Sequence, residues 1–224
     1  AEYYSKAAAQ KHADARYALA NLHLEGKIPG ANVAQGELLM RQAAKGGNYN
    51  AMGTVAEWLH AGTHGVDVDE PLALEWTQKA AEKGHVPSQN RLGVAYVRGF
   101  FGLPVDYAKA VLWYTKAAQQ GFATAQYNLG SMYLDGKGVP QSDFNSTDWY
   151  RKAAEQGLDR AQYLLGRAYE KGRGVPVDMA EAVKWVRLSA NQGYVNARLL
   201  LGQYLEHGNG TARDAFGAVE QYRL

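Results

Sequence analysis

The stretch YLDGKGVPQS (residues 133–142) decides how this chain is read. Taken alone it looks like a phosphate cradle, with two glycines around a lysine ahead of a segment able to open a helix. The phrase returns 36 residues later as YEKGRGVPVD (169–178), and a phosphate site has no need of a tandem copy. A phosphate loop would also follow a strand and end in Gly-Lys-Ser or Gly-Lys-Thr, and neither condition is met. The phrase reads instead as the corner of a repeating unit. Gly136 ends a helix, Gly138 frees the backbone for the bend, and Pro140 bars helix continuation just before a capping residue, Ser142.

Self-similarity extends over the whole sequence. A small-residue anchor, "KAA" or its equivalent, recurs at Ala7, Ala43, Ala80, Ala117, Ala153 and Ser189, in steps of 36 or 37 residues. A second anchor, A-x-x-x-L-G-x-x-Y, starts at Ala15, Ala51, Ser88, Ala125, Ala161 and Ala197. Such a period marks a solenoid of supersecondary units. The reading is one repeat domain over 1–224: a partial unit at 1–14, full repeats at 15–50, 51–87, 88–124, 125–160 and 161–196, and a partial repeat at 197–224.

Each repeat reads as two helices, A and B, giving about thirteen helices and no strand. In helix A, Ala125, Leu129, Met132, Tyr133 and Gly136 share one stripe of a 3.6-residue helix, which is the packing face. Its sixth position holds only small residues: Ala20, Ala56, Gly93, Gly130, Gly166 and Gly202. That column is expected where a neighbouring helix leaves no room for a side chain. In helix B the bulky column Leu39, Trp76, Trp113, Trp149 and Trp185 is expected in the core. Asn32, Asp69, Asp106, Ser142, Asp178 and Asp214 are the predicted N-caps, and Asp178 with Glu181 has capping-box spacing. Gly47, Gly84, Gly121, Gly157 and Gly193 are the predicted left-handed exits.

Composition is that of a globular protein, 46% hydrophobic and 21% charged. The 24 basic and 22 acidic residues are spread along the chain, so no basic stripe points to nucleic acid. No apolar run suggests membrane insertion. Without cysteine there is no disulfide framework or thiolate chemistry, which suits cytoplasm and periplasm equally.

The consensus A-x-x-x-L-G-x-x-Y-x-x-G-x-G-V-P followed by W-x-x-K-A-A-x-x-G resembles the Sel1-like repeat (SLR), a relative of the tetratricopeptide repeat. AQYNLGSMYLDGKGVP and AQYLLGRAYEKGRGVP are near-ideal copies. Departures are local: GKIPG replaces the first corner, and GTHG (62–65) and GFFG (99–102) each carry one extra residue. The resemblance implies an all-α, right-handed superhelical solenoid with A helices lining the concave side, and a non-catalytic role holding another protein or peptide. It also implies a bacterial setting, in envelope assembly, host interaction or immunity against antibacterial effectors, which favours periplasm or envelope over cytoplasm. Eukaryotic relatives act as adaptors in membrane-protein degradation. A second reading makes the repeats the arm of a larger enzyme or of a secretion assembly. Tyr3 and Gln221 both fall in the bulky column of a helix B, so the chain is expected to be a piece of a longer protein, and its uncapped ends would allow an oligomer.

Helix A positions opposite the packing stripe are where the sequence stops repeating. They read Asn90, Val94, Val97, Arg98, then Tyr127, Ser131, Leu134, Asp135, then Tyr163, Arg167, Glu170, Lys171, with Gln203 in the following repeat. Fixed packing columns beside drifting outer ones are expected if the fold sets one group and a ligand the other. Asn90, Arg98, Tyr127, Ser131, Asp135, Tyr163, Arg167, Glu170, Lys171 and Gln203 are therefore the candidate partner-binding residues.

Catalytic and metal sites are not indicated, and no cofactor motif is present. His60 and His64 have i, i+4 spacing, but Gly62 and a corner separate them and no third ligand is in evidence. Asp67, Asp69 and Glu70 lack the spacing of a calcium loop and read as helix-start residues. No serine sits in a nucleophile elbow. The glycan-acceptor triplets at Asn145 and Asn209 carry no meaning in this context.

Overall fold

The computed structural model describes residues 2–223. Among them are thirteen α-helices and no strand. The B helices are α1 (Glu2–Ala9), α3 (Val33–Lys45), α5 (Glu70–Glu82), α7 (Tyr107–Gln119), α9 (Asp143–Glu155), α11 (Met179–Asn191) and α13 (Ala215–Tyr222). The A helices are α2 (Ala13–Leu24), α4 (Tyr49–Ala61), α6 (Val86–Arg98), α8 (Ala123–Asp135), α10 (Asp159–Lys171) and α12 (Val195–His207). The chain forms two compact halves, Ala1–Val105 and Asp106–Leu224, and within each half consecutive helices pack on one another.

All six predicted caps are in place. The side chains of Asn32, Asp69, Asp106, Ser142, Asp178 and Asp214 accept from the amides of Gln35, Leu72, Lys109, Asn145, Glu181 and Gly217. The capping box at Asp178 is only half formed. The Glu181 carboxylate accepts from Lys184 and Trp185, while the Asp178 amide donates to the Tyr169 carbonyl at 3.0 Å. The same amide-to-helix-A bond recurs at Ser142 and Asp214, so the tertiary corner takes the donor that a capping box would use.

Where both helices of a repeat lie in one half, the small column faces helix B of the same repeat. A Cβ on Gly130 would lie 2.8 Å from the Tyr150 ring, and one on Gly166 would lie 2.6 Å from Val186 Cγ2. The residue that fills this space is one step beyond the tryptophan column: Met40, Thr77, Tyr150 and Val186 are all buried. The tryptophans of α5, α7, α9 and α11 are therefore half-buried at the edge of the core, not inside it as the sequence suggested, with Trp76 and Trp185 packed against it. One residue is about 100° on a helix, enough to turn them to the rim. There a lysine ammonium covers each ring, Lys116 over Trp113 and Lys152 over Trp149 at 4.2 Å. Of the five tryptophans only Trp58 is buried.

Polar links join successive repeats. Buried Gln126 and Gln162 donate to the carbonyls of Ala118 and Ala154, each on the preceding B helix. The corner glycines press on that helix too: a Cβ at Gly138 would overlap the backbone at Tyr107, and one at Gly174 the backbone at Asp143. In the two longer corners the extra residue takes the left-handed backbone, His64 at φ 56° and Phe101 at φ 58°. Each is held by an aromatic contact, His64 stacked on Trp58 at 4.4 Å and Phe101 edge-on to His60 at 5.4 Å.

Candidate functional site

Four of the predicted residues, Tyr163, Arg167, Glu170 and Lys171, lie on α10 at spacings that keep them on one side of the helix. Three of these, with Leu134 of α8, line a cavity of about 270 Å³. Its remaining wall comes from Leu164 and Ala168 of α10, from α9 through Asp143, Ser146, Thr147 and Tyr150, and from Arg173 in the corner after α10. Two successive A helices and the B helix between them thus converge on one cleft.

The floor is a chain of hydroxyls. Ser131 Oγ donates to the Tyr127 carbonyl at 3.1 Å, so the 3.0 Å contact with Tyr150 is one in which the phenol donates. Burial foremost pushes the Tyr150 phenol up to about 12, only partly opposed by its hydroxyl neighbours, so it stays protonated at neutral pH. Thr147 donates to the Arg173 carbonyl at 2.8 Å. Ser146 stands beside Tyr150 but its Oγ forms no hydrogen bond of good geometry, although the residue is 1% exposed.

The charged wall is organised around Arg167. Its Nε lies 2.8 Å from Glu170 Oε2 as an ion pair poorly aligned for a hydrogen bond, and its Nη1 donates to the Tyr163 hydroxyl at 3.3 Å. Behind the pair sits Tyr204 of α12, whose buried hydroxyl faces Glu170 without a hydrogen bond of good geometry and whose phenol is pushed up by burial first and then by Glu170. The Tyr163 ring meets Tyr194 edge-on at 5.4 Å. Lys171 and Arg173 are exposed, and no ion pair engages either among the described residues.

The other predicted residues lie outside this cleft. Tyr127 and Ser131 sit behind it, on the far side of Tyr150. Asp135 is exposed and paired with Lys137 at 2.8 Å. Gln203 is exposed on α12, and its carbonyl is 2.9 Å from His207 Nδ1. Asn90 and Arg98 belong to α6 in the first half, where the Arg98 guanidinium lies 5.8 Å from the Phe100 ring centre. Ser146, Thr147, Tyr150 and Arg173 escaped the sequence reading because it considered helix A alone. A signal was present: the column four residues after each B-helix cap reads Gly36, Ala73, Ala110, Ser146, Ala182 and Ala218, and all six are buried. Ser146 is its one hydroxyl.

Elsewhere, His60 Nδ1 lies 2.9 Å from Glu70 Oε1, and His64 is turned away onto Trp58. No helix among the described residues is long and apolar enough to cross a membrane.

The Sel1 repeat model matches seven segments: 1–12, 13–48, 49–85, 86–122, 123–158, 159–194 and 195–220. The chain belongs to the Sel1 repeat family. Sel1 repeat proteins generally mediate protein–protein interaction and are typically non-catalytic. Among solved structures, the chain is similar to c5321, a protective antigen of uropathogenic Escherichia coli strains that displays an SLR fold. Identity is 31% and the TM-score 0.88, over 99% of this chain and 47% of that one. The chain thus spans about half the length of that antigen. A Sel1 repeat protein from Oxalobacter formigenes is 27% identical with a TM-score of 0.81, over 96% of this chain and 85% of that one. The immunity protein Pa5087 from Pseudomonas aeruginosa, 21% identical with a TM-score of 0.50 over 94% of this chain and 79% of that one, shares the fold alone. No protein with a curated description matches. The fold class is thereby the all-α, helix-pair solenoid of SLR proteins.

Proposed function

We propose that this Sel1 repeat chain is a non-catalytic scaffold that holds another protein against its A-helix face, the face that the family resemblance makes concave. One observation carries the reading. The drifting columns of helix A and an open cleft coincide at α10, while the columns that hold the helices together stay fixed from repeat to repeat. Tyr and Arg, the types most often found at interface hot spots, supply its central side chains. The similarity to a bacterial protective antigen supports a bacterial setting and a role at the envelope or in contact with a host.

Site-specific photo-cross-linking in the source cell tests the face. A photoreactive residue at exposed Asp135 or Gln203 should cross-link to a partner protein. The same residue at Leu112 or Leu188, exposed positions of the B helices α7 and α11, should not. Cross-links from the B-helix positions alone would overturn the assignment.

A further inference from the structure

The cleft between α8, α9 and α10 also carries the chemistry of what it holds. We infer that it receives an acidic side chain of a partner segment, an Asp or Glu flanked by an apolar residue. This rests on the protein-binding reading above. Three observations lead to it, each independent of the others.

The first is charge. Arg167, Lys171 and Arg173 line the cleft, and Asp143 is the acidic residue among its lining groups. Arg167 is already paired with Glu170. Lys171 and Arg173 remain, exposed and outside any ion pair among the described residues. Set against Asp143, they leave a net single positive charge. That balance suits a carboxylate, whereas a phosphate dianion would face the Asp143 carboxylate with too little compensation.

The second is the floor. A buried polar atom with incomplete hydrogen bonding calls for an explanation, and Ser146 Oγ, set against the Tyr150 phenol with no hydrogen bond of good geometry, is one, in a column that is otherwise Gly or Ala. Nothing in the packing of α9 requires that hydroxyl, since Ala73, Ala110 and Ala182 fill the same place fully buried. A hydroxyl can donate to a carboxylate oxygen, and an incoming Asp or Glu would satisfy it. Ser146 Oγ now stands against the Tyr150 phenol, which donates to Ser131, and a turn of the serine side chain away from that phenol would present its proton to the cleft.

The third is size and lining. A volume of about 270 Å³ lies below the usual range for cofactor and drug-sized ligands, roughly 300–1,000 Å³, and matches one or two side chains. Leu134, Leu164, Ala168 and the Tyr163 ring provide apolar wall for the methylenes of the acidic residue and for its apolar neighbour. A free inorganic anion would leave that wall uncovered.

Selection of a phage-displayed library of random short peptides on the full chain supplies the test. With the peptides fused through their C-termini, only side-chain carboxylates are offered. The enriched sequences should carry Asp or Glu beside an apolar residue, and changing that Glu to Gln or Asp to Asn in the synthetic, C-terminally amidated peptide should weaken binding about tenfold or more. Lys171→Glu with Arg173→Glu should do the same, and both side chains are exposed enough to leave the fold intact. Ser146→Ala, which restores the residue found in four other repeats, should fold normally and bind severalfold more weakly. Binding should also fall with added salt. The inference is overturned if no peptide is enriched, if those enriched are neutral, basic or need phosphorylation, or if the charge reversals and Ser146→Ala leave affinity unchanged. Peptides that ignore the cleft variants yet cross-link to Asp135 or Gln203 would overturn this inference while the A-helix reading stands. Peptides that cross-link only to the B helices would overturn both.

Discussion

The corner glycine Gly138 gives the sharpest test of how repeats are joined. Its backbone is left-handed, φ 73°, and a Cβ there would stand 2.5 Å from the Tyr107 carbonyl carbon and 2.9 Å from the Ala108 amide nitrogen. Alanine at 138 therefore faces two costs. The left-handed conformation is worth about 1–2 kcal/mol for a residue with a Cβ. The overlap is with backbone at the start of α7, which has no rotamer to escape into, and overpacking of this kind costs about 1–3 kcal/mol. Gly157 isolates the first cost: it is left-handed, φ 91°, and a Cβ there would meet nothing within 4 Å. Gly→Ala also stiffens the unfolded chain, but equally at both positions, so that contribution cancels in the comparison. Gly138→Ala should thus lose about 2–5 kcal/mol and Gly157→Ala about 1–2 kcal/mol, read from denaturant midpoints at unchanged slope. Equal losses would mean that the corner does not rest on the preceding B helix, and the account of repeat stacking would fail with it.

Gly130→Leu should cost about 1–3 kcal/mol as overpacking against the Tyr150 ring, measured by chemical denaturation. Tyr150→Ala should lose about 3–5 kcal/mol as a core cavity, whereas Trp149→Ala should lose clearly less, because that ring is half-buried and capped by Lys152; the opposite ranking in thermal unfolding would return the tryptophans to the core. His85 is held below its ordinary value of 6.5, chiefly because burial disfavours its charged form, with Glu57 opposing and Arg91 assisting. The folded state therefore binds fewer protons than the unfolded one, so stability is full above pH 6.5 and declines as pH falls from there through the folded value. Denaturation midpoints taken across that window should slope in wild type and flatten in His85→Gln.

What was legible in the sequence is what every repeat must do alike. Caps at Asn32 through Asp214 and exits at Gly47 through Gly193 are local, set by the φ and hydrogen bonds of a few adjacent residues, and each appears where its spacing put it. The small column of helix A was legible because nothing larger than alanine in six copies has few physical causes. The facing residue was not, because a tryptophan column draws the eye although its neighbour, Tyr150 or Val186, points one step further round the helix into the core. Period identifies a column; it does not say which of two adjacent columns is innermost.

The site divides along the same line. Tyr163, Arg167, Glu170 and Lys171 could be picked out as places where helix A ceases to repeat, since that needs only comparison of like positions. Their partners Ser146, Tyr150 and Tyr204 come from other helices, at sequence distances that only the stacking brings together. The two kinds of departure are nonetheless related. On an outer column, variation is cheap, so Arg167 or Lys171 by itself says little about a ligand. In a column buried in every repeat, changing Ala to Ser adds a hydroxyl whose lost hydration is worth about 1–3 kcal/mol when nothing replaces it. A polar residue in a fixed apolar column is thus stronger evidence of a bound group than any number of charges on a variable one, and Ser146 sits where the two meet.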